Sequence, residues 1–534
     1  MFTSSAAGPG GVRWLQPVQR RRRRRVPILP ILALLALIAA VVGAIALWRA
    51  RDDGEDPSRA VAQRFAEAWA SGDLDAAYGL TTARTRSEQP AALFRQSYRQ
   101  ANRAATVEEI RVGEAAEPRD GRVAIPVVVR TRVFGEQRGT VTFPLERAGD
   151  TARVAWSPEL RLPGLRPGER VQRRTLREPE RASVLDAGGR RLSREPAAAG
   201  LVEGLEAHYE RRLGGRPGAE LRYGRRVVAK VAVVRGRSVR TTIRPSLQAA
   251  ATGALGDRLG GVAVVRPRTG DVLAMAGLAV SGPQPPGSVF KIITLAAALN
   301  EGETEPGESF PVQTAATLEG VQLRNAGDEA CGGSLTTSFA HSCNSVFAPL
   351  GVRLGARRLV RYAERFGFNE ELPIPSAKPS TIPDDLTDDL AVGASAIGQD
   401  RDLATPLVMA SVGATIANGG VRRTPRLVRS EDGGRRRVVK ARVAAQVRDM
   451  MLEVVRSGTG TAAALPGVEI AGKTGTAELV PTADGPSSPE NTDAWFVAFP
   501  AADPSIAVAV MLIGAGQGGA AAAPVARAVL DAAL

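Results

Sequence analysis

In the stretch Pro285-Pro286-Gly287-Ser288-Val289-Phe290-Lys291, a serine stands three residues before a lysine where a turn sequence gives way to an apolar run, Ile292 to Leu299. Prolines and a glycine ahead of such a run predict a loop feeding a buried helix, with Ser288 in its first turn. Residues three apart stack on one helical face, so the Ser288 hydroxyl and the Lys291 amine are expected within hydrogen-bond reach. The same helix N-terminus has free backbone N–H groups to offer a developing oxyanion. Together these residues could perform acyl transfer, with a nucleophile, a proton acceptor and part of an oxyanion hole in one turn.

Two further motifs follow in order. Ser342-Cys343-Asn344 lies 54 positions after Ser288, between apolar segments. Lys473-Thr474-Gly475-Thr476 lies 131 positions after Ser342, and its flanks, Val468 to Ala471 and Ala477 to Val480, can extend as a strand. The lysines stand out because the chain carries 70 Lys and Arg but only five Lys. Arginine supplies plain positive charge throughout, whereas a buried lysine can lose its proton and a guanidinium cannot. An isolated S-x-x-K more often marks a capped helix with a snorkelling lysine, so the later motifs carry the weight.

The elements that must position these residues begin at the N-terminus. Arg20 to Arg25 form a basic run, and Val26 to Trp48 contain no charged residue. At about 1.5 Å per residue that segment spans a hydrocarbon core of roughly 30 Å. The expectation is a cytoplasmic tail at 1–25, a single transmembrane helix at 26–48, and everything after it outside. The competing reading, a cleaved signal peptide, has a shorter apolar run and a small-residue cleavage site. From Val61 the spacing of Val61, Phe65, Ala68 and Trp69 predicts a helix stopped by Ser71-Gly72-Asp73, and Phe94 with Tyr98 predicts another. Strands are expected at Val107 to Val112, Val123 to Arg132, Thr140 to Leu145 and Arg153 to Trp156, which makes 56–160 a small α+β domain. Residues 161–240 read as an extended, Arg-rich pedestal. In 241–534, strands are expected at Gly261 to Arg266, Val272 to Ala276, Trp495 to Phe499 and Ile506 to Ile513, with a final Ala-rich helix from Ala520.

A net charge of +15 raises nucleic-acid binding, but aromatics are sparse and no recognition signature is present, so none is expected. An anionic membrane or cell-wall surface suits the charge equally. Two cysteines and two histidines are too few to build a metal site, and Cys331 with Cys343 could form a disulfide or remain two buried thiols. The only histidines are His208 and His341, and no serine sits in G-x-S-x-G, which argues against a Ser-His-Asp hydrolase.

The three motifs in this order resemble the S-x-x-K, S-x-N and K-T-G set of serine acyltransferases that act on penicillin. Thr242-Ile243, Leu247-Gln248 and Val264 to Met275 resemble the opening of the penicillin-binding transpeptidase domain. Gly398-Gln399, Thr405-Pro406-Leu407, Ala417 to Gly420, Gly458 to Thr461 and Trp495-Phe496 resemble its later landmarks. The anchor makes the chain similar to class B penicillin-binding proteins. Residues 57–156, closed by Trp156-Ser157-Pro158, resemble the NTF2-like N-terminal domain of the methicillin-resistance type, and Arg181 to Leu192 resembles the start of the family's pedestal. The implied architecture is an α+β multidomain protein whose catalytic domain has an antiparallel sheet flanked by helices. In two departures, the segment from Ala276 to Ser288 is short, and Asp493 stands where many relatives have His.

The resemblance implies a peptidoglycan D,D-transpeptidase acting on stem peptides and acylated by β-lactams. Ser288 would be the nucleophile, Lys291 its base, Ser342 a proton relay, and Asn344 a holder of substrate and of Lys291. Thr474, Gly475 and Thr476 would bind the substrate and its carboxylate, with Lys473 as a further catalytic residue supplying charge, and the backbone N–H groups of Ser288 and Thr476 would form the oxyanion hole. No cofactor or metal is implied, and a membrane glycan polymerase is the implied partner. A carboxypeptidase, a β-lactamase or a non-catalytic scaffold on the same fold are the alternatives.

Overall fold

The computed structural model describes residues 56–479 and 488–534. The expected tail at 1–25 and span at 26–48 lie outside these residues, as does Val480. Among the described residues no helix is long and apolar enough to cross a membrane. The chain divides into two compact units, one running to Leu176 and taking in Ala219–Val231, the other comprising Arg177–Gly218 and Ala232–Leu534.

In the first unit, α1 (Pro57–Ser71) starts where Asp56 accepts from the Ser58 N–H and ends at Gly72, whose φ of +83° closes the helix. Its Val61, Phe65 and Trp69 are buried, as the helical spacing requires. Two short helices, α2 (Leu74–Gly79) and α3 (Ala83–Glu88), precede α4 (Ala91–Ala105), which buries Phe94 and Tyr98. The strands β1 (Val107–Val112), β2 (Arg122–Thr131), β3 (Gly135–Ala148) and β4 (Thr151–Val154) form an antiparallel sheet in chain order. Val123, Ile125, Val127 and Val129 alternate inward along β2, so period-two patterning sets the core face. Trp156 donates to the Tyr98 hydroxyl at 3.0 Å.

Residues 161–240, expected as one extended pedestal, are divided between the units. The strands β5 (Val171–Thr175), β6 (Ala219–Tyr223) and β7 (Arg226–Val231) form a second antiparallel sheet in the first unit, because Ala219, Leu221 and Tyr223 alternate into its core. The intervening 177–218 belong to the second unit.

The second unit is built on five antiparallel strands. After α5 (Pro245–Leu255) come β8 (Gly260–Val265) and β9 (Val272–Gly277), and near the C-terminus β10 (Ile470–Glu478), β11 (Thr492–Pro500) and β12 (Ala507–Leu512). The spatial order is β9-β8-β12-β11-β10. Both faces are covered. Ala263, Val265, Val497 and Met511 pack with α6 (Lys291–Glu301) and α9 (Pro406–Ala417), while Val262, Val264, Phe496 and Val510 pack with α5 and α10 (Gly518–Asp531). A sheet buried on both faces explains why these strands read as unbroken apolar runs. Two helices, α7 (Leu335–Ala340) and α8 (Asn344–Leu354), flank the Ser342 turn.

Candidate active site

Ser288 lies in a single 3-10 turn, Gly287–Phe290, that runs directly into α6 at Lys291. In such a turn residues three apart eclipse, which stacks Lys291 over Ser288. The lysine's hydrogen bonds nevertheless go elsewhere. Its Nζ donates to Asn344 Oδ1 at 2.6 Å, to the Ser342 carbonyl at 2.7 Å and to Ser342 Oγ at 3.3 Å. All three oxygens within its reach belong to Ser342 and Asn344, and the expected direct bond to Ser288 is not formed among the described residues. The half-buried Ser288 hydroxyl has no hydrogen-bond partner among the described residues.

Ser342 joins the two sides of the site. It adopts φ +62°, a left-handed conformation that costs a non-glycine residue about 1–3 kcal/mol. There its hydroxyl also accepts from Lys473 Nζ at 2.9 Å. Asn344 is fixed from behind, since its Nδ2 donates to the Arg324 carbonyl at 2.6 Å and leaves Oδ1 for Lys291.

Lys473 arrives on β10, the last strand of the sheet, so one row of its backbone groups is unpaired within the sheet. The Thr476 carbonyl lies in that row and accepts from Gln399 Nε2 at 3.5 Å. Because N–H and C=O of one extended residue point the same way, the Thr476 N–H faces the Ser288 turn as well. Two glycines allow this approach. Gly287 has φ +52°, and a Cβ there would sit 2.6 Å from the Thr476 carbonyl oxygen; a Cβ on Gly475 would sit 2.8 Å from that of Pro286. On the other face, Thr474 Oγ1 shares a 2.6 Å hydrogen bond with Thr459 Oγ1, and Thr476 Oγ1 accepts from Gly518 N at 3.3 Å. Gln399 and Thr459 were legible only as members of the Gly398-Gln399 and Gly458 to Thr461 landmarks; their contacts assign them to the site's support.

Both lysines are fully buried, and neither forms an ion pair among the described residues. Burial first, and then the like charge of Lys473, hold the Lys291 amine well below its usual range; burial brings Lys473 down to about 7. Partial compensation comes from aromatic faces, with Lys291 Nζ 5.8 Å from the Phe347 ring and Lys473 Nζ 5.5 Å from that of Phe339. Such a pair titrates as a unit and holds fewer than two protons near neutral pH. A neutral amine beside a serine, linked through a second hydroxyl to a second amine, is an arrangement that can pass a proton along its length.

Cys343, between Ser342 and Asn344, is bonded to Cys331 on the strand Cys331–Ser334, with 5.4 Å between Cα atoms. This resolves the two sequence readings in favour of the disulfide, which straps down the turn that presents Ser342. Closing a loop of this length stabilises by about 3 kcal/mol in the chain-entropy account. Reduction, or Cys331→Ala, is expected to lower Tm by several degrees and to slow β-lactam acylation. Differential scanning fluorimetry beside a labelling time course checks this; unchanged labelling by the reduced protein would remove the strap from the site's function.

Comparison with known proteins gives this geometry a family. Residues 260–531, half of the chain, match the penicillin binding protein transpeptidase domain. The chain belongs to the penicillin-binding protein transpeptidase family. Its residues 57–169 match the NTF2-like N-terminal transpeptidase domain. The peptidoglycan D,D-transpeptidase PbpA of Mycobacterium tuberculosis is 36% identical over 393 residues, 61% of this chain and 77% of that protein. The ceftriaxone acyl-enzyme structure of penicillin-binding protein A from M. tuberculosis is similar at 34% identity and a TM-score of 0.51, covering 56% of this chain and 80% of that one. The penicillin G acyl-enzyme of the same protein gives 30% and 0.56, covering 66% and 99%. In this penicillin-binding protein Asp493 is buried on β11. Its Oδ1 accepts from Gly514 N at 3.1 Å, Oδ2 has no partner among the described residues, and burial raises the carboxyl to about 6. His341 is exposed and its ring takes no part in the Lys291–Ser342–Lys473 chain.

Proposed function

We propose that the protein is a peptidoglycan D,D-transpeptidase that works through a Ser288 acyl-enzyme and is acylated by β-lactams. The observation that carries this reading is the buried chain Lys291–Ser342–Lys473, which among the described residues pairs with no carboxylate and lies one turn from an unbonded serine. Ser288 Oγ attacks the carbonyl between two D-alanines and gives its proton to Lys291 in the amine form. The C–O ester bond forms, the peptide C–N bond breaks, and Ser342 passes a proton to the departing amine of D-alanine. An amine of a second stem peptide then attacks the ester, forms the cross-link and returns the proton to Ser288. The N–H groups of Ser288 and Thr476 stabilise the oxyanion, at about 3 to 4 kcal/mol per donor in comparable sites. Lys473 supplies positive charge for the substrate carboxylate beside Thr474, Gly475 and Thr476, and Asn344 holds Lys291. An extended stem peptide fits along the open edge of β10.

The basic run Arg20 to Arg25 ahead of the uncharged Val26 to Trp48 supports a single membrane anchor with the N-terminus inside and the catalytic domain outside. The likeness to class B enzymes supports a membrane glycan polymerase as partner. One experiment tests the whole reading. Full-length protein is recovered from membranes, labelled with a fluorescent penicillin, and then given a donor stem peptide with and without an acceptor amine. The expected outcome is a membrane-bound, slowly released adduct and acceptor-dependent cross-linked product. Rapid release of label, or product from water alone, would instead make the protein a hydrolase, and recovery in the soluble fraction would remove the anchor.

A further inference from the structure

Away from Ser288, the second unit contains a pocket of about 290 Å³ that the mechanism does not use. Among the described residues Arg190, Arg244, Arg266 and Arg429 line it, against two carboxylates, Asp186 and Asp271. Both aspartates are buried and already engaged. Asp186 accepts from the Arg190 side chain at 3.3 Å, and Asp271 pairs with Arg426 at 2.8 Å and Arg266 at 3.5 Å. Arg244 and Arg429 have no side-chain hydrogen bond or ion pair among the described residues. The site therefore carries two more positive charges than negative ones, and its free charges are guanidinium forks.

The start of α5 adds to this. Arg244 is the residue before the helix and Pro245 opens it; both line the pocket, and no side chain caps the first turn. An uncapped helix N-terminus adds a partial positive charge and unpaired N–H groups. Arg266 feels the crowding: burial, and then the charges of Arg244 and Arg429, lower its pKa, with Asp271 opposing. Four arginines converge here although like charges repel, which an anion seated among them would relieve.

We propose that this pocket is a binding site for a phosphate group carrying two or more negative charges, such as a phosphate monoester or pyrophosphate. A phosphate monoester is close to a dianion at neutral pH and so matches the surplus charge. Its tetrahedral oxygens suit arginine forks and a helix N-terminus together. The group could be a free ion or the headgroup of a lipid; the chemistry recognised is the same.

The test titrates pyrophosphate into the full-length protein in detergent by calorimetry, with sulfate at equal ionic strength as control. The Arg244→Gln/Arg429→Gln double variant is measured in parallel, and its undiminished penicillin labelling shows that the fold and the Ser288 site are intact. Pyrophosphate is expected to bind, sulfate to bind more weakly, and the double variant to lose about tenfold or more in affinity. A second arm uses vesicles of phosphatidic acid against phosphatidylcholine. Binding to pyrophosphate alone assigns a soluble ligand, and binding to phosphatidic acid as well assigns a headgroup. No binding by the wild-type protein, equal binding of sulfate, or an unchanged affinity in the double variant would overturn the proposal. Penicillin labelling reads the Ser288 site separately, so failure here leaves the transpeptidase reading standing.

Discussion

Ser288→Ala abolishes covalent labelling by penicillin while leaving the melting temperature within about a degree of wild type. The loss is expected at the scale of about 10⁶-fold seen when a catalytic serine is removed elsewhere, which lies below detection in an intact-mass assay. Stability is spared for a structural reason. The Ser288 hydroxyl is half-buried and makes no hydrogen bond among the described residues, so its removal orphans no partner. The Lys291–Ser342–Lys473 chain keeps every bond it has. Labelling that persisted in Ser288→Ala would transfer the nucleophile to another hydroxyl, Ser342 first, and would end the mechanism proposed here.

How much of this was legible in the sequence differs from element to element. The strand β2 alternates along its length and its expected range was within a residue of the observed one. The strands β8, β11 and β12 were legible as unbroken apolar runs, since each buries both faces. Short motifs marked Ser288, Lys291, Ser342, Asn344 and Lys473 because each lies in a local pattern of turn, helix start or strand. Contacts that depend on register between distant segments were not legible. Spacing placed Lys291 against Ser288, but three oxygens delivered from 51 and 53 residues away satisfy its donors. Likewise, β6 and β7 come from a stretch that reads as a connector, because Arg and Gly mask the alternation of Ala219, Leu221 and Tyr223. The pocket at Arg190, Arg244, Arg266 and Arg429 assembles residues 239 positions apart at its extremes, in a chain where arginine is everywhere.

Replacing Lys291 separates its charge from its basicity. Lys291→Arg keeps a cation but cannot deprotonate, and Lys291→Met keeps an unbranched side chain one atom shorter without either property. Both are expected to slow acylation by about 10² to 10⁴-fold, the usual contribution of a positioned base. The methionine variant should be the more stable of the two, since it buries no charge in a site that lacks a carboxylate. Wild-type acylation should rise with pH as Lys291 gives up its proton. Burial, and then the charge of Lys473, hold the Lys291 amine well below its usual range, so the neutral form that can accept from Ser288 is reached at a lower pH than for an ordinary lysine. Lys473, brought down to about 7 by burial, gives up its proton in turn. In Lys291→Met the residual rate should lose this rise, although Lys473 still titrates, because the remaining amine reaches Ser342 and its own strand but not Ser288. Stopped-flow labelling between pH 5.5 and 8.5 reads all three proteins. A methionine variant with the wild-type rate and pH profile would assign the base to Lys473 and Ser342 rather than to Lys291.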